Sequence, residues 1–284
     1  MESYRLEGQT FVIDDYDRKP AFSSFLPGLA GVKGIPLWTF YTNRGQGMNS
    51  FGIDNKGNAI MEFNSANTAF ENTQVKGFRT FLKIDGEYYE PFFTYEKEAK
   101  RQMRMNKNSF KIIETNEKYG IEVTVNYYVL PNESIGALVR QVSVKNIGDS
   151  AKEVQVIDGL PKIITYGIAN GEFKEMSNLF KSWADIRNLE NKVPYYTLRA
   201  STKDSAEVSD VEGGYYYLTV RDGKLQDVIY DVDTVFGYDL SLMTPVNFID
   251  GSIEGVLSKE QCFANKVPCG FTPFKEVVER SEEH

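Results

Sequence analysis

A chain of 284 residues, 41% of them hydrophobic, can bury a large core as one big domain or two ordinary ones. Its net charge of −8 excludes a dedicated nucleic-acid binder, which needs basic surface to meet phosphates. No apolar run approaches the ~20 residues of a membrane span. The opening MESYRLEGQT has no signal-peptide core, so the chain reads as cytoplasmic and the lone sequon at Asn132-Glu133-Ser134 as chance.

Phe25 to Gly52, FLPGLAGVKGIPLWTFYTNRGQGMNSFG, sets glycines among aromatics and fits neither an amphipathic helix nor a simple alternating strand. Gly28, Gly31 and Gly34 resemble a dinucleotide fingerprint only superficially. That motif follows a strand and opens a helix, whereas these glycines precede the strand-like Ile35-Pro36-Leu37-Trp38, so they read as a turn. Trp38 and Phe40 are expected in the core. Trp38, if not core, and Tyr41 offer flat faces to a sugar ring, and Asn43, Arg44 and Gln46 offer hydrogen bonds to hydroxyls. The competing reading has Arg44 pinning a loop to an internal carboxylate.

Hairpins follow in order. Ser50–Ile53 turns through Asn55-Lys56-Gly57-Asn58 into Ala59–Phe63. RTFLKI and EYYEPFF flank Asp85-Gly86, a two-residue hairpin turn. KEAKRQMRMNK (97–107) is a basic run, expected as a solvated edge strand whose charges prevent further pairing. SFKIIETN and IEVTVNYYVL turn near Asn116 to Gly120. The alternation of Ile121, Val123, Val125 and Tyr127 with Glu122, Thr124 and Asn126 predicts one buried and one wet face. ALVRQVSVKN and AKEVQVIDGL read as the next pair. Asn170 to Lys192 breaks the pattern: Phe173, Met176, Leu179, Phe180 and Trp183 recur at helical spacing, predicting a helix or two short ones across a sheet. PYYTLRAST, GGYYYLTV and KLQDVIYD are strand-like again, with Asp222-Gly223 as a tight turn. FKEVVERSEEH reads as a charged, helix-prone tail without a cap. Antiparallel hairpins without βαβ alternation define a mainly β fold, a large antiparallel sandwich, and no internal repeat or linker breaks residues 1–274.

The only histidine is His284, at the chain's end, so nucleophile systems that need a histidine base are excluded. Cys262 and Cys269 read as ordinary thiols; two thiols cannot close a zinc site alone. Asp14, Asp15, Asp54, Glu62, Asp85 and Glu87 are available for acid–base work, but no spacing sets two of them across a cleft.

FSSFLPGLAGVKGIPLWTFYTNRGQGMNSFGIDNKGNAIMEFNSANTAF with GFRTFLKI, IDGLPKIITYGI and FKEMSNLFKSWADIRNL resembles the N-terminal β-sandwich of glycoside hydrolase family 94. This is the cellobiose phosphorylase group, formerly glycosyltransferase family 36. The resemblance covers nearly the whole chain. It implies a galactose-mutarotase-like supersandwich over 1–274 and, from 275, the start of a truncated helical linker to an (α/α)6 barrel. In that group the barrel carries the general acid and the phosphate-binding groups, and phosphate attacks a β-glucoside with inversion. No catalytic residue, metal or cofactor is therefore assigned to this chain. By the same resemblance, Asn43 to Gly47 and Arg79 face the barrel or the sugar, and the domain is expected to pack on its barrel, to contribute dimer contacts and to meet a β-glucan oligosaccharide or disaccharide. A free-standing carbohydrate-binding module and a protein-interaction scaffold are the alternatives.

Overall fold

The computed structural model describes residues 3–26, 28–93, 98–201 and 206–280, apart from the side chain of Ser177. The chain opens with strands β1 (Tyr4–Glu7) and β2 (Thr10–Asp14), a 3-10 turn at Tyr16–Arg18, β3 (Ser23–Leu26) and β4 (Leu29–Ala30). β5 (Ile35–Thr42), β6 (Met48–Ile53) and β7 (Ala59–Met61) follow, then helix α1 (Ala66–Lys76). β8 (Arg79–Ile84) and β9 (Glu87–Tyr89) form the hairpin expected from Asp85-Gly86. β10 (Lys100–Met105), β11 (Ser109–Asn116), β12 (Ile121–Val129), β13 (Leu138–Asn146) and β14 (Lys152–Leu160) are the long strands.

The long strands build an antiparallel sheet in the order β1-β2-β10-β11-β12-β13. β12 alternates as its sequence demands, with Ile121, Val123, Val125 and Tyr127 buried. β10 is not an edge strand. It pairs with β2 on one side and β11 on the other, and Arg101 and Met103 point into the interior. Its basic residues are matched instead of repelled, with Arg104 bonded to Glu7 and Arg101 to Asp17 and Glu114. Lys97, the first residue of the basic run, lies outside the described residues.

β13 and β14 do not pair. β13 closes one edge of the first sheet, whereas β14 enters a second, ordered β20-β14-β8-β9, where β20 is Gly270–Val278. Two strands of period 2 joined by a short turn suit a hairpin and a step between stacked sheets equally well; their composition does not say which. β8 is buried along its whole length because this second sheet has cores on both sides. Leu82, Ile84, Val154 and Val156 face the first sheet, in a core shared with Ile13, Met103, Ile112 and Val125. Phe81, Ile157 and Phe271 face the other way, onto Phe236, Phe248, Ile253 and Val256. Those four come from the short helices α3 (Asp233–Phe236), α4 (Val246–Asp250) and α5 (Ile253–Leu257), which no helical period in the sequence announces.

The predicted helix at Asn170–Lys192 is shorter: α2 runs Asn170–Lys181, with a non-helical kink at Met176. Phe173 and Phe180 are buried, while Met176 and Leu179 are exposed. Past it, Ala184–Arg187 forms β15, which pairs with β16 (Tyr195–Leu198), itself paired with β17 (Tyr215–Tyr216); β18 (Val220–Arg221) and β19 (Lys224–Leu225) make the small hairpin around Asp222-Gly223. The tail is corrected too. Residues 275–278 are not a helical linker but the end of β20, paired residue by residue with Lys152 to Gln155 of β14. The β-branched Val277 and Val278 fit a strand edge better than a helix. Residues 281–284, His284 among them, lie outside the described residues.

The glycine-rich stretch forms the third sheet, β3-β5-β6-β7 with β4 on β5. β5 points Leu37, Thr39 and Tyr41 inward, which turns Trp38 and Phe40 to its outer face. Trp38 is thus not core but 42% exposed, with Nε1 donating to the Asp54 carbonyl at 3.0 Å. Pleat alternation decides this: two aromatics two residues apart share a face, and the inward places are taken.

Candidate functional site

Five residues stand out in the sequence, and each has an internal partner. Asn43, fully buried, donates through Nδ2 to the carbonyls of Tyr16 (2.8 Å) and Pro20 (3.0 Å), and its Oδ1 accepts from the Phe22 amide at 3.0 Å. Arg44 donates to the carbonyls of Asn43 (2.7 Å) and Lys19 (3.1 Å) and lies 4.3 Å over the Phe70 ring. Among the described residues no carboxylate pairs with it, and burial lowers its pKa. Gln46 is buried, with Nε2 3.1 Å from Thr80 Oγ1 and Oε1 accepting from Arg140. Tyr41 stacks on Phe110 at 4.4 Å, and burial pushes its phenol up. The Asn43–Gly47 segment therefore meets its own chain. Tyr16 Oη donates to the Gly45 carbonyl at 2.7 Å, and Gly47, at φ +85°, lies where a Cβ would stand 2.7 Å from Phe110 Cε2. Gly47 admits the Phe110 ring.

Arg79 is 1% exposed and sits on the outer side of β8. It meets Glu90 at both carboxylate oxygens, Nε at 2.7 Å and Nη2 at 2.8 Å. The same guanidinium donates to the carbonyls of Leu242 and Met243 and packs against Phe81 at 4.6 Å. It therefore ties the loop after α3 to the central sheet.

Two more buried ionic groups lie where no motif marks them. Arg140 meets both oxygens of Asp158 (2.7 and 3.2 Å) and donates to Tyr127, Gln46 and Thr80, joining the first and second sheets to the loop between β5 and β6. Arg101 is shared between Glu114 and Asp17, at 2.6 Å from each. One cation between two carboxylates would leave a net negative charge in the interior were both ionised. Burial accordingly lifts the Glu114 carboxyl to about 8; the Phe92 amide opposes the shift and Asp17 adds to it. Folded, Glu114 holds a proton that the unfolded chain, with an ordinary carboxyl, has released. Stability is therefore full below the ordinary carboxylate range, declines as pH rises toward about 8, and levels beyond it. Urea unfolding between pH 5 and 9 is expected to trace this decline, and Glu114→Gln to flatten it; equal slopes in the two proteins would refute the assignment.

A concave feature with a polar lining lies between β6, β7, α1 and the segment after β14. Asn49, Glu62, Asn64, Asn72, Lys76 and Lys162 provide its polar lining over a floor of Met61, Ala69 and Ile164. The cleft encloses about 400 Å³, counting open solvent at its mouth. α1 supplies Asn72 and Lys76 from one face, four residues apart, which stacks them on adjacent turns. Lys162 sits 3.4 Å from Glu62 and 4.6 Å over the Phe173 ring. Burial lowers its pKa, against the pull of Glu62. Of these residues only Glu62 attracts notice in the sequence. The others are common polar residues scattered over more than a hundred positions, brought together by the fold.

Among the described residues no three His, Cys, Asp or Glu side chains converge on a metal position, and Cys262 and Cys269 are unpaired thiols, one exposed and one buried. No helix among the described residues is long and apolar enough to cross a membrane. A scan against protein-family models finds no match, and a search of curated proteins finds none similar to this chain.

Proposed function

We propose that the chain is a non-catalytic N-terminal sandwich of a cytoplasmic glycoside phosphorylase of the family 94 kind, which packs against a helical barrel that carries the chemistry. The observation that carries this reading is the surface of the third sheet. Besides its buried apolar residues, the segment with the sequence resemblance leaves three large ones on the surface: Phe25 is 60% exposed, Leu29 72% and Trp38 42%. Large apolar side chains left exposed on a charged chain suit burial against a second body. The inward use of Asn43, Gln46 and Arg79 supports a structural role for the domain, with sugar and phosphate handled elsewhere. Phosphorolysis assayed on the pure chain tests the reading: no glucose 1-phosphate from a β-glucoside is expected, and its release overturns the reading.

One observation favours the carbohydrate-binding module as a second reading. The exposed Trp38 ring, steadied by its bond to the Asp54 carbonyl, lies on the same face as Phe25 and Phe40 and offers sugar a stacking surface. Calorimetric titration with cello-oligosaccharides separates the two readings.

A further inference from the structure

The α1 cleft has an unbalanced charge. It sets two ammonium groups, Lys76 and Lys162, against the single carboxylate of Glu62, in a chain whose net charge is −8. Lys76 makes no ion pair among the described residues, and the Asn49 and Asn72 side chains make no hydrogen bond among them. Asn64 spends only one long bond, 3.5 Å, on the Glu62 carbonyl. The side chains of Asn43, Gln46 and Arg79 are consumed by internal partners; here two carboxamides and an ammonium line one cleft without one. A carboxamide both donates and accepts, so a set of them reads hydroxyl groups, while lysine is a point charge suited to an oxyanion. A concave wall of net positive charge raises the local concentration of an anion.

We infer that this cleft is a binding site for a small hydroxylated oxyanion, a phosphate monoester or the carboxylate of a sugar acid. The anionic oxygens are held between Lys76 and Lys162, and the hydroxyls by Asn49, Asn64 and Asn72. Glu62 keeps Lys162 extended across the cleft and accepts from a ligand hydroxyl. The site is separate from the barrel's phosphate in the proposal above and does not depend on that proposal: it is built from this chain alone.

The test is calorimetric titration of the whole chain at constant ionic strength with four probes: inorganic phosphate, glucose 6-phosphate, gluconate and glucose. Saturable binding of glucose 6-phosphate or gluconate is expected, with inorganic phosphate weaker and neutral glucose weakest. A phosphate ester tighter than gluconate identifies the monoester as the preferred source of the anion; the reverse identifies the carboxylate. Losing one charge-assisted hydrogen bond, Lys76→Met is expected to weaken binding by about tenfold or more. Lys76 is exposed at the cleft mouth, so this variant keeps the fold even where Lys162→Met, which strands Glu62, does not. Flat titrations with all anionic probes, glucose binding as well as its phosphate, or unchanged affinity in Lys76→Met would each overturn the inference.

Discussion

Arg79→Ala is expected to destabilise the protein by about 3–5 kcal/mol, the usual cost of removing one partner from a buried ion pair. The loss has two sources. Glu90, 9% exposed, would keep only the Tyr88 hydroxyl at 3.3 Å, and burial already pulls its carboxyl upward against the guanidinium. The Leu242 and Met243 carbonyls would lose their donor, releasing a loop that holds Leu242 at φ +60°. Replacing both members, Arg79→Met with Glu90→Gln, should recover much of the deficit, because no unpaired charge is left. Urea unfolding of the three variants measures this. A loss below about 1 kcal/mol in Arg79→Ala, the value of an exposed pair, would show that Arg79 is not the strut described here.

Gly159→Ala should be the most damaging single-methyl change. Gly159 of β14 pairs with Phe271 of β20, and a Cβ there would overlap the Gly270 carbonyl oxygen and stand 2.8 Å from Phe271 Cα. Both obstacles are backbone, so no side chain can swing away, and the strands that close the second sheet must part. Overpacking of this kind costs about 3 kcal/mol or more. Gly171→Ala is the control. It lies in α2 with nothing within 4 Å of the added carbon, and a helical alanine there is expected to be neutral or mildly stabilising. Thermal unfolding of the pair checks it; similar melting temperatures for the two variants would contradict the packing of β14 on β20.

Some readings made through local rules survive in the structure. Asp85-Gly86 and Asp222-Gly223 turn hairpins, and the strict alternation of β12 sets its buried face. These features need only neighbouring residues. What needs distant ones is not legible. Which sheet β14 joins depends on β20, more than a hundred residues away. α1, ANTAFENTQVK, is rich in Asn and Thr, which are poor helix formers, and its helix is settled by packing on β6 rather than by propensity. The charged core is hidden for the same reason. Arg79, Arg101 and Arg140 lie in ordinary strand sequence, and only the partners at Glu90, Glu114 and Asp158 give each its place. The candidate residues illustrate the limit most sharply. Asn43 and Gln46 have the chemistry of ligand-binding groups, and the fold spends that chemistry on Tyr16, Pro20 and Thr80. The cleft that remains free is lined by residues no motif picks out.

The proposed function gives this sandwich no chemistry of its own and a catalytic body to pack against. The most direct measurement offers the purified chain cellobiose, laminaribiose or sophorose together with inorganic phosphate and follows glucose 1-phosphate over time. A rate equal to that of buffer is expected with every disaccharide. Release that scales with chain concentration and stays with the protein through a second chromatographic step would contradict it.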